Sequence, residues 1–218
     1  MNTLAMGTPP ARRRRCFTLT EMLAVIAIML LLFGIAVAPL GKLLGGSGVN
    51  GAARMIGAEL RLARQYAISQ RKYVAVLMPS DTGPAELRYD NFRSCVTNAS
   101  EEFVGWIPNT RWEQLPQGTV VSEVDDDYEN DDTTNPQDNA TTTVTDVDVD
   151  GSTYDMRAVV FAPTGRLRLS GGGLRRCVTV IEGRYSGGLS VRNAQNIACL
   201  KIDSYTGRSS YVDPLAAP

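Results

Sequence analysis

Histidine is absent from this chain of 218 residues. Its absence removes the commonest general base and the commonest metal ligand, and excludes Ser–His and Cys–His nucleophile schemes within the chain. Net charge is nearly absent as well. Lys and Arg number 22 against 23 Asp and Glu, so the overall balance points to no polyanion, and no nucleic-acid partner is predicted. Cysteine is scarce, with Cys16, Cys95, Cys177 and Cys199 the only four. Charge is missing altogether from Met22 to Leu40. A helix needs ~20 apolar residues to span the ~30 Å hydrocarbon core, and this stretch is just long enough. It is too long for a secretory h-region of ~7–15 residues, and no small-residue cleavage site follows it.

The charge that is present is segregated. Arg12 to Arg15 form a basic run before the apolar stretch, and Glu123 to Asp155 are strongly acidic. Basic residues flanking a membrane span stay cytoplasmic, so the chain after the span is expected on the other side. Glu21 stands near the start of the apolar stretch. An ionised side chain in lipid costs at least ~2.5 kcal/mol and so requires a partner or a function.

Phe17-Thr18-Leu19-Thr20-Glu21, directly after the arginines, resembles the N-terminal signature of type IV prepilins and pseudopilins. The resemblance implies that a prepilin peptidase cuts between Cys16 and Phe17 and methylates the new amine. It implies that Glu21 neutralises the N-terminus of a neighbouring subunit during filament assembly. One residue departs from the pattern: Cys16 occupies the place where the family nearly always has Gly. Two later passages, Leu60 to Met78 and Val160 to Arg166, together with Ile202 to Arg208 at the close, resemble those of H-type minor pseudopilins and minor pilins, in the same order.

The coarse organisation follows. Residues 1–16 are expected as a leader, 17–41 as a transmembrane helix, 42–51 as a glycine-rich hinge and 52–218 as a periplasmic domain. Pro39 removes a helical hydrogen bond and each glycine weakens a helix by ~1 kcal/mol, so 42–51 is expected to melt between two helical pieces. Ala52 to Arg71 carries Met55, Ile56, Leu60, Ala63, Ala67 and Ile68 at helical spacing, an amphipathic helix that must cover a sheet. Short β-rich runs follow at Tyr73–Met78, Leu87–Tyr89, Phe103–Ile107, Thr119–Val124, Ala158–Ala162, Leu167–Leu169, Cys177–Glu182, Ile197–Ile202 and Ser210–Val212. The fold class is α+β, a pilin-like helix on a mostly antiparallel β domain. The acidic insertion 123–155 has few large apolar residues and is expected as a solvated loop or disordered segment.

Other patterns carry less. Gly46 to Gly51 fits G-x-G-x-x-G but lacks the preceding strand and the following acid of a dinucleotide site. Ser69 to Lys72 fits S-x-x-K without its companion motifs. Asn98-Ala99-Ser100 and Asn139-Ala140-Thr141 fit a glycosylation pattern too short to inform. Asp146-x-Asp148-x-Asp150-Gly151 opens like an EF-hand loop and names calcium as a candidate ligand of the three aspartates. The twelfth position, which should be a bidentate Glu, is Arg157, and the plain acidic loop is preferred. Cys177 and Cys199 are the best candidate disulfide pair outside the cytoplasm, against an even alternative of reduced, buried thiols.

These readings converge on a non-enzymatic structural subunit of a type II secretion or type IV pilus-like filament. Its expected partners are other pseudopilins or pilins, prepilin peptidase and the bacterial inner membrane, which it crosses once with its N-terminus cytoplasmic. The alternative is a membrane-anchored periplasmic binding module using the acidic loop to hold calcium or a partner.

Overall fold

The structure is a computed structural model and describes residues 19–125, 142–168 and 175–212. One helix and eleven strands lie among them: α1 (Leu19–Gln70), β1 (Tyr73–Leu77), β2 (Asn91–Thr97), β3 (Phe103–Trp106), β4 (Glu113–Gln114), β5 (Thr119–Asp125), β6 (Thr143–Val149), β7 (Ser152–Phe161), β8 (Leu167–Arg168), β9 (Arg175–Tyr185), β10 (Leu189–Asp203) and β11 (Ser209–Val212). The chain divides into two compact units, 1–42 and 43–218.

In the first unit the described residues are helical from Leu19. Every described side chain from Leu19 to Phe33 is exposed. Leu30, Leu31, Leu32 and Phe33 keep 60–73% of their surface accessible. Among the described residues no helix is long and apolar enough to cross a membrane. The expected span 17–41 extends beyond them at its start, and beyond Phe33 no side chain in it is described.

The second unit is built on the amphipathic part of α1. Val49, Ala52, Ala53, Ile56, Leu60, Ala63 and Ala67 are buried in one core. Their spacing keeps them on one helical face, and the small residues among them bring the helix axis close to the strands. Burying Ile56 or Leu60 alone is worth about 1.5–3 kcal/mol. The helix ends in a left-handed residue, Arg71 (φ 53), with the Lys72 N–H donating to the Ala67 carbonyl at 3.2 Å. This is a Schellman-type stop made without the usual glycine.

The expected melted hinge at 42–51 is instead part of α1. Tertiary packing overrides propensity here. A Cβ on Gly48 would stand 3.2 Å from Thr119 Cγ2, and one on Gly51 would stand 3.7 Å from Pro116. Glycine admits the β domain against the helix, and the buried Val49 between them pins the turn.

Two antiparallel sheets complete the unit. The first has the order β3-β2-β1-β7-β6, with β4 paired to β2 and β8 to β7. The second has the order β11-β10-β9-β5. Val74, Val76, Phe92, Val159 and Phe161 of the first and Val178, Val180, Ala198, Leu200 and Ile202 of the second share the core under α1. The alternate residues of the first sheet do not face water. Ala75, Leu77, Cys95, Ala158 and Val160 form a second core with Val144, Val147 and Met156, walled by Phe103, Trp106 and Trp112. The sheet curls to enclose them: Glu102 bridges Thr145 in parallel, and the Thr145 N–H donates to the Glu101 carbonyl at 3.1 Å. Strand β6 thereby reaches the β3 end, and the sheet becomes a small roll with its own apolar interior.

This roll corrects the reading of the acidic insertion. Residues 143–155 are not a solvated loop. They form the β6–β7 hairpin, with Val149 opposite Ser152 and a two-residue turn at Asp150 (φ 52) and Gly151 (φ 84). Positive φ at both positions is the type I′ geometry that matches the twist of paired strands. Leu87–Tyr89 is a second correction. It is a turn, not a strand, with the Leu87 N–H on the Pro84 carbonyl and Tyr89 buried against Val120 and Ile181.

Candidate functional site

Glu21 lies in the first turn of α1 and is exposed beside Leu19, Met22 and Leu23. Cys16 and Phe17, the expected processing pair, lie outside the described residues.

Cys177 and Cys199 stand on the neighbouring strands β9 and β10. Cys177 pairs with Lys201 and Cys199 with Thr179, so the two are diagonal neighbours on one face of the sheet. Both side chains are buried, as is that of Cys95. Burial pushes the Cys95 thiol up to about 12, so it stays protonated and is no nucleophile at neutral pH.

The three candidate calcium ligands are spread along the hairpin. Asp146 (φ 57) sits in the β6 irregularity between Val144 and Val147. The Asp148 Oδ1 accepts the Gly151 N–H at 2.9 Å, and Asp150 is in the turn. An EF-hand loop would wrap its oxygens around one point; this hairpin strings them along an extended strand. Among the described residues no three His, Cys, Asp or Glu side chains form a group that would hold a metal.

The structure does bring together the three later motifs. The tripeptide Thr-Gly-Arg occurs at 164–166 and again at 206–208. Both glycines have positive φ, 78 at Gly165 and 63 at Gly207. The two turns face each other so closely that a Cβ on Gly207 would lie 2.0 Å from the Gly165 carbonyl oxygen. The Leu167 N–H donates to the Ser204 carbonyl at 3.0 Å, and the Arg166 guanidinium sits 5.9 Å from the Tyr205 ring centroid. Asp203 holds the second turn, its Oδ1 accepting the Tyr205 and Thr206 N–H groups at 3.1 and 2.8 Å. The helix locks both turns: the Arg64 Nε donates to the Gly165 carbonyl at 3.2 Å, and Ile68 packs over Gly165.

Beside this junction lies a cleft of about 520 Å³, lined by Arg61, Arg64, Ile68 and Arg208 among others. Its lining contains three arginines and no carboxylate. Sequence reasoning noted the turns as motifs but missed the cleft. The signal was there in the repeated Thr-Gly-Arg and in the cations of the helix.

Residues 52–194 match the profile of a family described as type II transport protein GspH. The matched span lies wholly in the second unit. The chain is also similar to two crystal structures of the type IV minor pilin FimU of Pseudomonas aeruginosa (strain PAO1), at 15% identity and a TM-score of 0.42 in each. The similarity covers 78% of this chain and 92% and 97% of the two FimU chains. No curated protein sequence matches the chain.

Proposed function

The chain belongs to the type II transport protein GspH family, and we propose that it works as a minor pseudopilin, a structural subunit of a short type II secretion or type IV pilus-like filament. The observation that carries this reading is the family match, which runs from the amphipathic part of α1 to β10. Members of such families are structural subunits, not enzymes, and the chain's lack of histidine agrees with that role.

The finer reading concerns the first unit. The stretch 17–41 waits in the inner membrane as a single span, with Arg12 to Arg15 cytoplasmic and the second unit periplasmic. Its support is the exposure of Leu23, Ile26 and Leu30 to Phe33, surface that needs lipid or other apolar helices around it. In the filament the same surface packs against other subunits' helices. Glu21 pairs with the Phe17 amine of a neighbour left by prepilin peptidase, and that pair fixes axial register because a slip leaves a buried charge alone.

Two measurements test this. Intact mass of the chain extracted from peptidase-positive cells should begin at a methylated Phe17; a mature species retaining Met1 to Cys16 would sink the processing step. Glu21→Ala should leave membrane insertion intact and lower recovery in sheared filaments. Unchanged recovery would mean that something other than Glu21 sets register.

A further inference from the structure

We propose that the cleft beside the two Thr-Gly-Arg turns is a docking site for an acidic peptide segment presented by a neighbouring subunit, a segment of the kind this chain itself carries at residues 126–138. The inference rests on the filament reading above and names the contact by which the second unit recognises a neighbour.

The cleft is positive without internal relief. Arg61 and Arg208 are exposed on its rim, and Arg64 is half-buried in its wall. None of the three makes an ion pair with a described carboxylate, so none is neutralised there. Arg64 spends its Nε on the Gly165 carbonyl, which fixes that guanidinium in place before any ligand arrives. The helix adds Arg54, Arg71 and Lys72. Its one carboxylate in this part, Glu59, is taken by a hydrogen bond from the Ser94 hydroxyl.

The other wall is apolar. Ile68 remains 42% exposed beside the arginines. A guanidinium fork beside an apolar wall suits a carboxylate on a short aliphatic stem, because the planar fork binds the two oxygens in parallel while the methylenes cover the wall. A cleft of about 520 Å³ takes a few side chains of an extended peptide.

Charge complementarity supplies the occupant. The chain is nearly neutral overall, so the cations on α1 are balanced by acids elsewhere. Those acids are concentrated after β5, at Asp126, Asp127, Glu129, Asp131, Asp132 and Asp138. A chain with a basic cleft and a separate acidic segment meets a neighbour of like design basic side to acidic side. Such head-to-tail contacts build open filaments where self-matching patches build closed dimers.

The test uses the full chain in detergent micelles with those six acids changed to their amides, so that its own segment does not compete. The probe is a synthetic peptide of residues 126–138, titrated in ~0.15 M salt to screen non-specific attraction. Saturable binding at one peptide per chain is expected, with no binding of the all-amide peptide. Arg61→Gln with Arg208→Gln should weaken binding at least tenfold with the unfolding midpoint unchanged, while Arg54→Gln, outside the lining, should not. Equal weakening by Arg54→Gln, or none by the double variant, overturns the proposal. So does a short DNA duplex that binds with Arg61 and Arg208 dependence where the peptide fails, since the cleft then reads phosphate. Failure here with Glu21-dependent assembly intact would leave the filament reading standing, and the converse would leave the cleft.

Discussion

Gly207→Ala should be among the most damaging single-methyl additions in the second unit, and its cost separates into two parts. The first is conformational. Gly207 has φ 63, and an L side chain in left-handed backbone costs roughly 1–2 kcal/mol. The second is steric. The new Cβ would lie 2.0 Å from the Gly165 carbonyl oxygen and 3.0 Å from the Arg64 Nε. The carbonyl is backbone in a tight turn, so the two turns must separate by more than an ångström, breaking the Arg64 to Gly165 bond as they move. Overpacking of this kind costs about 1–3 kcal/mol, and the two parts together reach roughly 2–5 kcal/mol. Gly187→Ala is the control. Gly187 has φ 75 with nothing within 4 Å of the added Cβ, so it carries the conformational part alone. Thermal unfolding of the fragment from Leu43 onward reads both. At ~2–4 °C per kcal/mol for a domain of this size, Gly207→Ala should lower the midpoint by about 4–20 °C and Gly187→Ala by about 2–8 °C. Within one experiment the first must exceed the second. Equal losses would refute the argument that the turns are locked against each other.

Two further predictions concern the roll. Val147→Ala should cost about 1–3 kcal/mol in urea unfolding, because Val147 is fully buried in the second core; a change under about 0.5 kcal/mol, the size of an ordinary surface effect, would mean that the β6 hairpin is the dispensable loop its composition suggests. The stability of the unit should also fall as pH rises above about 8.5, the range of a free thiol. Burial raises the Cys95 thiol to about 12 when folded, so below the free-thiol range both states hold the proton and the stabilisation is complete. Between that range and 12 the unfolded chain releases a proton that the folded chain keeps, and stability declines. Cys95→Ala should flatten the decline measured from pH 8 to 10.5, and an unchanged slope would assign it to other groups.

Much of the second unit was legible in the sequence because its signals are local. The stripe Ile56, Leu60, Ala63 and Ala67 is the buried face of α1, and Tyr73–Met78, Cys177–Glu182 and Ile197–Ile202 lie within or overlap strands of the two sheets. What stayed hidden depends on contacts between distant residues. Strand β2 contains Asn91, Arg93 and Ser94, polar types that read as loop. Two of them are accommodated by groups outside the strand: Arg93 by the Trp106 ring at 3.8 Å and the Thr110 carbonyl at 2.8 Å, Ser94 by Glu59 on the helix. The glycines from Gly45 to Gly51 weigh toward a break only while Thr119 and Pro116 are out of view. The arginine cleft left its parts in the sequence, the cations of α1 and the repeated Thr-Gly-Arg, but not their meeting, since Arg208 lies far along the chain from Arg61.

The acidic hairpin shows how one stretch supports two chemistries until its partner strand is known. Asp146-Val147-Asp148-Val149-Asp150-Gly151 is a run of carboxylates ending in a turn glycine, and a metal loop starts in that way. It is also a strict alternation of polar and β-branched residues ending in Asp-Gly, the strongest short hairpin signal. In the fold the valines serve the second. A calcium loop has no use for a β-branched side chain at every second position, whereas Val147 fills the roll and Val149 packs at its edge. The aspartates Asp146, Asp148 and Asp150 are then left exposed to solvent. The work of recognising a neighbour falls to the acids before the hairpin and to the arginines beside the two turns.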